Sequence, residues 1–250
     1  MEFKLYFQSD TPLVLPLSYH HILQGFIYKR LSEYPEFSDF LHNKGFQTEG
    51  QSFKLFVFSL LKGHFQVSGS KIKFDNVIEW EIRSPVPFFC EVFAQALENE
   101  EVFELAGQRI FLIRYEITNT EILDEELEIR MLSPVCVDIA YREGEKTKTN
   151  YLEPTDPYFN YYLTKNFQRK FQSVVGESNS TGIFLLPHKN FNVTGNKYVT
   201  KFGGEIFITA WKGSFTLKSD IESLQFLYDT GLGSRNSQGF GMFEQVKSNI

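Results

Sequence analysis

The sequence predicts an α+β fold made of two tandem ferredoxin-like domains, each with the element order β-α-β-β-α-β. Two observations lead to this prediction. Strand-like and helix-like apolar patterns follow each other in that order along the first half of the chain, and the second half repeats the order loosely. The 250 residues, 42% of them apolar and 22% charged, are enough for one large core or two small ones.

In the first half, Met1–Gln8 alternates between apolar and polar residues, as a half-buried strand does. Ser18 is expected to be the N-cap of a helix that continues to Tyr34. The other elements predicted for this half are a buried strand at Phe53–Leu61, extended segments near Phe65–Val67 and Ile72–Phe74, a helix after Pro87 and a strand at Arg109–Ile117.

The second half begins after the acidic stretch Glu121–Glu128, so we place the two domains at residues 1–122 and 123–250. No long Pro- or Ser-rich linker separates them, and we therefore expect close packing. The elements predicted for this half are an extended segment at Leu127–Ile139, a helix at Tyr158–Val174, strands at Ile183–Leu186 and Glu205–Leu217, a short helix capped by Asp220 and a last strand at Gly241–Val246.

The net charge of −6 argues at first against a nucleic-acid partner, because phosphate binding needs Lys and Arg. The charge is unevenly spread, however. Residues 1–140 carry 12 basic and 21 acidic side chains, whereas residues 141–218 carry 11 basic and 6 acidic ones. A basic block on an acidic protein permits a local anion-binding surface.

Composition also excludes several classes of protein. No apolar run approaches the roughly 20 residues needed to cross a bilayer, and the opening MEFKLYFQSD lacks the layout of a signal peptide. Cys90 and Cys136 lack the spacing of metal ligands and are expected to be reduced core residues. We therefore expect a cytoplasmic protein with no membrane association, no metal and no cofactor.

Two residues suit RNA cleavage without a metal, which needs a base, an acid and a cation that stabilises the charged phosphorane. His42, in DFLHNKG, is either an acid–base group or a histidine stabilised at a helix C-terminus. Lys54 lies in a strand pattern, where a charge is awkward unless it points into a cleft. The alternative is an edge-strand lysine that discourages aggregation.

The first predicted helix carries further candidates. At 100° per residue, Tyr28 falls nearly opposite the apolar stripe, beside Gln24 and His21, so we do not expect it to fill the core. His20 and His21 form a solvated pair in one interpretation; in the other, His21 contacts RNA or replaces a catalytic group. Arg30 falls inside the stripe, and its head is expected to reach outward.

The segment GLGSRNSQGFGMF, Gly231–Phe243, is rich in glycine and in hydrogen-bond donors. Such a segment either lets backbone N–H groups converge on a phosphate or simply forms a turn. It is not a P-loop, because no GK[ST] follows, and it leads into a strand, unlike a dinucleotide fingerprint.

Arg169 and Lys170, in NFQRKF, lie on the predicted helix of the second half. They are either phosphate contacts or part of a solvated helix face.

Taken together, these stretches resemble one family. YHHILQGFIYKRL, DFLHNKG, FKLFVFSLL, LSPV, NFQRKF and GLGSRNSQGFGMFE occur in the order found in CRISPR-associated repeat-RNA processing endoribonucleases of the repeat-associated mysterious protein superfamily. The resemblance spans most of the chain, and it implies two ferredoxin-like domains. It also implies metal-independent cleavage of pre-crRNA to crRNA, which leaves a 5′-hydroxyl and a 2′,3′-cyclic phosphate.

The resemblance assigns the catalytic set to Tyr28, His42 and Lys54. His42 would transfer a proton, Lys54 would stabilise the phosphorane, and Tyr28 would orient or deprotonate the 2′-hydroxyl. The roles of Tyr28 and His42 are interchangeable at this stage, since an ordinary tyrosine pKa near 10 suits donation better than abstraction. The expected RNA contacts are His21, Arg169, Lys170, Gly231, Gly233, Ser234, Arg235, Asn236, Ser237, Gln238, Gly239 and Gly241.

The implied partner is CRISPR repeat RNA, with membership of a CRISPR surveillance complex and homodimerisation left open. Two alternatives to an active enzyme remain. One is a catalytically inactive repeat-RNA-binding subunit of such a complex, which His42→Ala would separate from an enzyme. The other is a protein-interaction module with no RNA role, which the acidic net charge allows.

Overall fold

A computed structural model describes residues 1–32, 45–177, 179–204 and 206–246. The elements of the first half are β1 (Glu2–Gln8), β2 (Leu13–Pro16), α1 (His20–Leu31), β3 (Phe46–Thr48), β4 (Gln51–Phe53), β5 (Val57–Phe58), β6 (Lys62–Ser68), β7 (Lys71–Arg83), α2 (Pro87–Asn99), β8 (Val102–Leu105) and β9 (Gln108–Thr118). Those of the second half are β10 (Glu126–Met131), β11 (Asp138–Glu143), β12 (Lys146–Tyr151), α3 (Phe159–Val175), β13 (Phe184–Pro187), β14 (Lys197–Phe202), β15 (Ile206–Trp211), β16 (Ser214–Lys218), α4 (Ile221–Thr230), a short 3-10 helix (Asn236–Gln238) and β17 (Phe243–Gln245).

The sheet of the first half has ferredoxin-like topology. Its four main strands lie in the antiparallel order β6-β7-β1-β9, with α1 between β1 and β6 in the chain and α2 between β7 and β9. Strand β2 also pairs with β7, and β8 pairs with β9 at the edge of the sheet. The predicted β-α-β-β-α-β order is thus realised as one sheet.

The second half repeats this topology. Its sheet has the antiparallel order β13-β16-β10-β17, with α3 and α4 in the places that α1 and α2 occupy in the first half. Two hairpins, β11–β12 and β14–β15, are inserted into this half and pair outside that sheet. The α+β fold with ferredoxin-like halves is confirmed; the boundary at residue 122 stays a prediction.

Each half has its own hydrophobic core. In the first, Phe3 and Phe7 on β1 are buried, and the ring of Phe3 meets Phe93 of α2 edge-on at 5.2 Å. In the second, Phe159 and Phe167 on α3 are fully buried in a separate cluster with the residues of β10 and β16. The period-2 and period-3.6 patterns of the sequence therefore mark the faces that are buried.

The start of α1 differs from the prediction. Tyr19, not Ser18, is the N-cap residue, and no side chain caps the helix. Tyr19 is buried, and its hydroxyl accepts a hydrogen bond from the backbone N–H of Leu61 at 3.3 Å. This buried anchor sets where the helix begins. Its predicted end at Tyr34 lies outside the described residues.

Three long predicted strands are each split, because the chain changes pairing partner within them. Residues 53–61 are not one strand: β4 pairs with β3 and β5 with β7, and Leu55 turns the chain between them with a φ of +51°. Residues 205–217 divide into β15 and β16 at Gly213, and residues 127–139 divide into β10 and β11.

No helix in the described parts of the chain is both long and apolar enough to cross a membrane.

Candidate functional site

The glycine-rich loop, defined here as Gly231–Gly241, closes on itself immediately after α4. The backbone N–H of Leu232 donates to the carbonyl of Gly241 at 2.8 Å. A Cβ on Gly241 would lie 2.0 Å from the Leu232 carbonyl oxygen, and one on Gly233 would lie 2.2 Å from that of Cys136. Both glycines also have a positive φ. Only glycine allows backbone segments to approach this closely.

Lys170 and Asn236 hold the loop from inside. The Asn236 amide nitrogen donates to the carbonyls of Leu232 and Phe240, both at 3.0 Å. The Lys170 ammonium donates to the Gly231 carbonyl at 2.5 Å and to Asn236 Oδ1 at 3.0 Å. Lys170 is only 2% exposed, so a solvated helix face is wrong for this residue. Burial lowers the pKa of its ammonium to about 7.

Helix α1 of the first half is docked onto this loop through polar groups. Gln24 Nε2 donates to the Ser237 carbonyl at 2.7 Å. The ring of His20 lies 3.0 Å from the Gln238 carbonyl through Nδ1 and 2.9 Å from the Tyr198 hydroxyl through Nε2. Because a carbonyl can only accept, we assign the proton to Nδ1, and Nε2 then accepts from Tyr198. Burial lowers the pKa of His20 to about 4, so the ring is neutral at pH 7.

The two adjacent histidines therefore differ. His20 is fully buried, and the prediction of a solvated pair is wrong for it. Its position in the helix could have shown this, since His20, Leu23 and Ile27 follow the i, i+3, i+7 spacing of a buried face. His21 is exposed, with Nδ1 2.9 Å from the Ser18 carbonyl. It does not line the cleft described next, and its RNA role stays a prediction.

A cleft of about 520 Å³ opens beside the loop. It is bordered by α1, by the segment that follows β4, by α3, by β11 and by the loop itself. Cationic side chains outnumber acidic ones among its described lining residues, which suits an anionic ligand. Its ionisable lining side chains are Tyr28, Lys54, Asp138, Tyr162, Lys165, Arg169, Lys170 and Arg235.

Tyr28 and Lys54 come from different elements and line the same cleft. Tyr28 is half-buried, and its ring meets Phe56 edge-on at 5.9 Å, so it packs partly against the core while it faces the cleft. Burial raises the pKa of the Tyr28 hydroxyl to about 12 and lowers the pKa of Lys54. The third predicted catalytic residue, His42, lies outside the described residues.

The two arginines of the cleft are both paired, in different ways. Arg235 Nη2 lies 3.1 Å from Asp138 Oδ2, and the same carboxylate accepts a hydrogen bond from Ser234. Arg169 pairs with Glu49 at 3.0 Å, and both of these side chains are largely exposed. An exposed pair contributes at most about 1 kcal/mol. Arg169 can therefore exchange Glu49 for a phosphate at lower cost than Arg235 can exchange Asp138.

The position of the Arg30 side chain differs from the prediction. Arg30 is 3% exposed and does not reach outward. Its guanidinium lies 4.5 Å from the ring centroids of both Phe26 and Phe103, and one of its nitrogens lies 3.2 Å from Glu100. A paired, stacked arginine is compatible with a buried stripe. The helical pattern could not reveal the carboxylate partner, because Glu100 lies far away in the chain.

Two ferredoxin-like halves, a close-packed glycine-rich loop and a cation-rich cleft between the halves define a class of protein suited to an anionic ligand. Residues 117–245 match a family model described as CRISPR associated protein Cas6, C-terminal. This match covers more than half of the chain, and the chain belongs to the Cas6 family. The resemblance seen in the sequence motifs is thereby confirmed.

Individual relatives align along nearly the whole chain. CRISPR-associated endoribonuclease Cas6 1 of Methanocaldococcus jannaschii is 25% identical over 254 residues, which cover 99% of this chain and 93% of that protein. A solved Cas6-related protein of Pyrococcus furiosus superposes with a TM-score of 0.82 at 19% identity, covering 100% and 99% of the two chains. A structure titled as an RAMP protein binding different RNA substrates gives a TM-score of 0.80 at 21% identity, covering 99% and 100%. At these identities the solved structures establish the fold.

Proposed function

We propose that this protein is an endoribonuclease that cleaves CRISPR repeat RNA, converting pre-crRNA to crRNA without a metal ion. The observation that carries the proposal is that Tyr28 and Lys54, far apart in the chain, line one cleft beside the glycine-rich loop. The membership of the Cas6 family and a relative named as a Cas6 endoribonuclease support it.

The proposed reaction is an internal transfer at one phosphodiester. The 2′-oxygen bonds to phosphorus while the bond from phosphorus to the 5′-oxygen breaks. The 2′-hydroxyl proton goes to a base, and an acid delivers a proton to the departing 5′-oxygen. The products are a 2′,3′-cyclic phosphate and a 5′-hydroxyl, and no water is consumed.

The protonation states favour one division of roles. A tyrosine with a pKa of about 12 keeps its proton at pH 7, so Tyr28 fits a hydrogen-bond donor or acid better than a base. Lys54 supplies a positive charge for the phosphorane, and its lowered pKa makes its proton easier to give. The base then falls to His42, because imidazole is partly unprotonated near neutral pH.

The glycine-rich loop and α3 would position the RNA strand in the cleft. Lys165 is exposed and Arg169 is partly exposed along the cleft, and both are suited to phosphate contact. Lys170, the Asn236 side chain and the close-packed glycines fix the shape of the loop from behind. The loop segment from Ser234 to Gln238 would then present its remaining polar groups to RNA. Cytoplasmic location, homodimerisation and membership of a surveillance complex stay predictions.

The test is cleavage of repeat RNA from the CRISPR array of the same genome, in EDTA, under single-turnover conditions. We expect a product with a 2′,3′-cyclic phosphate end. His42→Ala and Lys54→Ala should each reduce the cleavage rate by about 10²- to 10⁴-fold, the range of a lost proton-transfer or charge-stabilising group. Tyr28→Phe should also reduce it, because the proposed hydrogen-bond donor is lost while the ring is kept.

Two surface variants serve as controls. His188→Ala changes an exposed histidine paired with Glu128 outside the cleft, and Lys73→Ala changes an exposed lysine on β7. Both should cleave at the wild-type rate. If the wild-type protein binds repeat RNA but yields no cyclic-phosphate product, the enzyme proposal is wrong and the non-cleaving subunit takes its place.

A further inference from the structure

Helix α3 carries an exposed aromatic and cationic stripe that the core does not require. Its buried face is accounted for by Phe159, Leu163 and Phe167. On the opposite side, Tyr161 is 56% exposed and Lys165, one helical turn later, is also exposed. An aromatic side chain that lines a groove next to a cation can form part of a binding surface.

This stripe lines a groove of about 500 Å³ that continues the candidate cleft. Tyr162, Lys165 and Arg169 line both the groove and the cleft, so the two share a wall along α3. Among the described residues of the groove, the carboxylate is Glu49, which is already paired with Arg169. The other polar lining side chains are the neutral amides of Gln168, Gln172 and Asn179. Cationic side chains therefore outnumber carboxylates among the described lining residues of the groove, which suits an anionic ligand.

The aromatic geometry suits a flat ligand. Tyr161 and Tyr162 meet edge-on, with their centroids 5.1 Å apart, and the exposed Tyr161 side chain lines the groove. The Lys165 ammonium lies 5.8 Å from the Tyr161 centroid. A base stacked on an aromatic ring beside a cation that meets its phosphate is how proteins hold single-stranded nucleic acid.

We propose that the α3 groove, formed by Tyr161, Tyr162, Lys165 and Arg169, binds an unpaired stretch of RNA next to the scissile linkage. One base stacks on Tyr161, and Lys165 and Arg169 contact the phosphates on either side. The inference rests on the proposed function, because the neighbouring cleft is where the scissile linkage would lie. It adds an aromatic binding site to the basic contacts already expected.

The test uses repeat RNA with a 2′-deoxy substitution at the scissile nucleotide, which blocks the internal attack. A 2-aminopurine replaces one flanking nucleotide at a time. At one of these positions we expect fluorescence quenching on binding to the wild-type protein and to Tyr161→Phe, because both retain a ring. Tyr161→Ala should abolish the quenching and raise the Kd about tenfold. Lys165→Ala should lower the slope of log Kd against log salt by about one.

Tyr141→Ala is the matched control. Tyr141 is a 45% exposed tyrosine on β11 that lines neither the groove nor the cleft, and its loss should change neither the Kd nor the quenching. If Tyr161→Ala binds and quenches like the wild type while the wild type cleaves repeat RNA, the groove proposal is overturned and the nuclease stands. If the wild type neither binds nor cleaves repeat RNA, the proposed function fails first and the groove proposal with it.

Discussion

Two of the junctions between the halves of the molecule differ in charge. At the loop junction, α1 meets the glycine-rich loop through the neutral side chains of His20 and Gln24. At the second, which we call the arginine clasp, Arg83 joins Glu2 and Glu81 of the first half to Tyr228 and Phe243 of the second.

The arginine clasp is a buried ionic network. Arg83 is 1% exposed, with Nε 2.9 Å from Glu2 Oε2 and with Nη1 donating to the Phe243 carbonyl at 2.6 Å. Its guanidinium stacks 3.8 Å from the Tyr228 ring centroid, and the Tyr228 hydroxyl donates to Glu2 at 2.8 Å. Every charge of this network has a partner, as buried charges require.

The contrast between the two junctions shows that the buried ion pairs lie away from the cleft proposed to bind RNA. Of these two junctions, the arginine clasp contains the carboxylates, and its residues do not line the cleft. The loop junction is instead built from the neutral side chains of His20 and Gln24. Helix α1 is thus held to the loop by His20 and Gln24, which are neutral at pH 7. A carboxylate at either position would repel a phosphate in the neighbouring cleft.

The largest expected effect comes from breaking the arginine clasp. Arg83→Met leaves the largely buried Glu2 without its cationic partner, while Glu81 keeps its pair with Lys62, and it should lower the free energy of unfolding by about 3–5 kcal/mol. Urea denaturation followed by tryptophan fluorescence measures this. The control is Arg114→Met, whose exposed pair with Glu116 should contribute no more than about 1 kcal/mol. Equal losses in the two variants would contradict the assignment of the clasp.

The loop junction should instead be sensitive to acid. The pKa of His20 is lowered from 6.5 to about 4 in the folded state, so between these values the unfolded chain binds a proton that the folded protein does not. Stability from this group is present above pH 6.5 and is lost as the pH falls toward 4, by about 3 kcal/mol in total.

Unfolding of the wild type and of His20→Gln at pH 4.5, 5.5 and 6.5 measures this contribution as the difference between their slopes. The expected result is a shallower acid loss in the variant. His188→Gln, which changes an exposed histidine, should follow the wild type. Parallel curves for the wild type and His20→Gln would count against a neutral buried ring.

The last effect concerns Lys170 and lies on the alkaline side of neutrality. Its pKa is lowered from 10.5 to about 7, so above pH 7 the unfolded chain binds more protons and stability rises with pH. One such group contributes a slope of up to about 1.4 kcal/mol per pH unit. Lys170→Met should remove that slope between pH 7 and 9, whereas Lys189→Met, at an exposed position, should retain it.

Local patterns were sufficient to predict much of the fold. The strand at Met1–Gln8, the helix at residues 158–174 and the Asp220 cap are confirmed, because each depends on residues a few positions apart. Strand ends were less predictable. The split of residues 53–61 depends on which sheet each part joins, and those partners lie elsewhere in the chain.

The sequence alone determined the class of fold, the family and the candidate cleft residues Tyr28 and Lys54, because periodicity and motif order are properties of the chain itself. Only the tertiary structure decided that His20 and Lys170 are buried groups that hold the loop, and that Asp138 pairs with Arg235. The physical reason is that the burial and ionisation of a side chain depend on neighbours brought together by folding. For these residues the neighbours lie between 61 and 218 positions away.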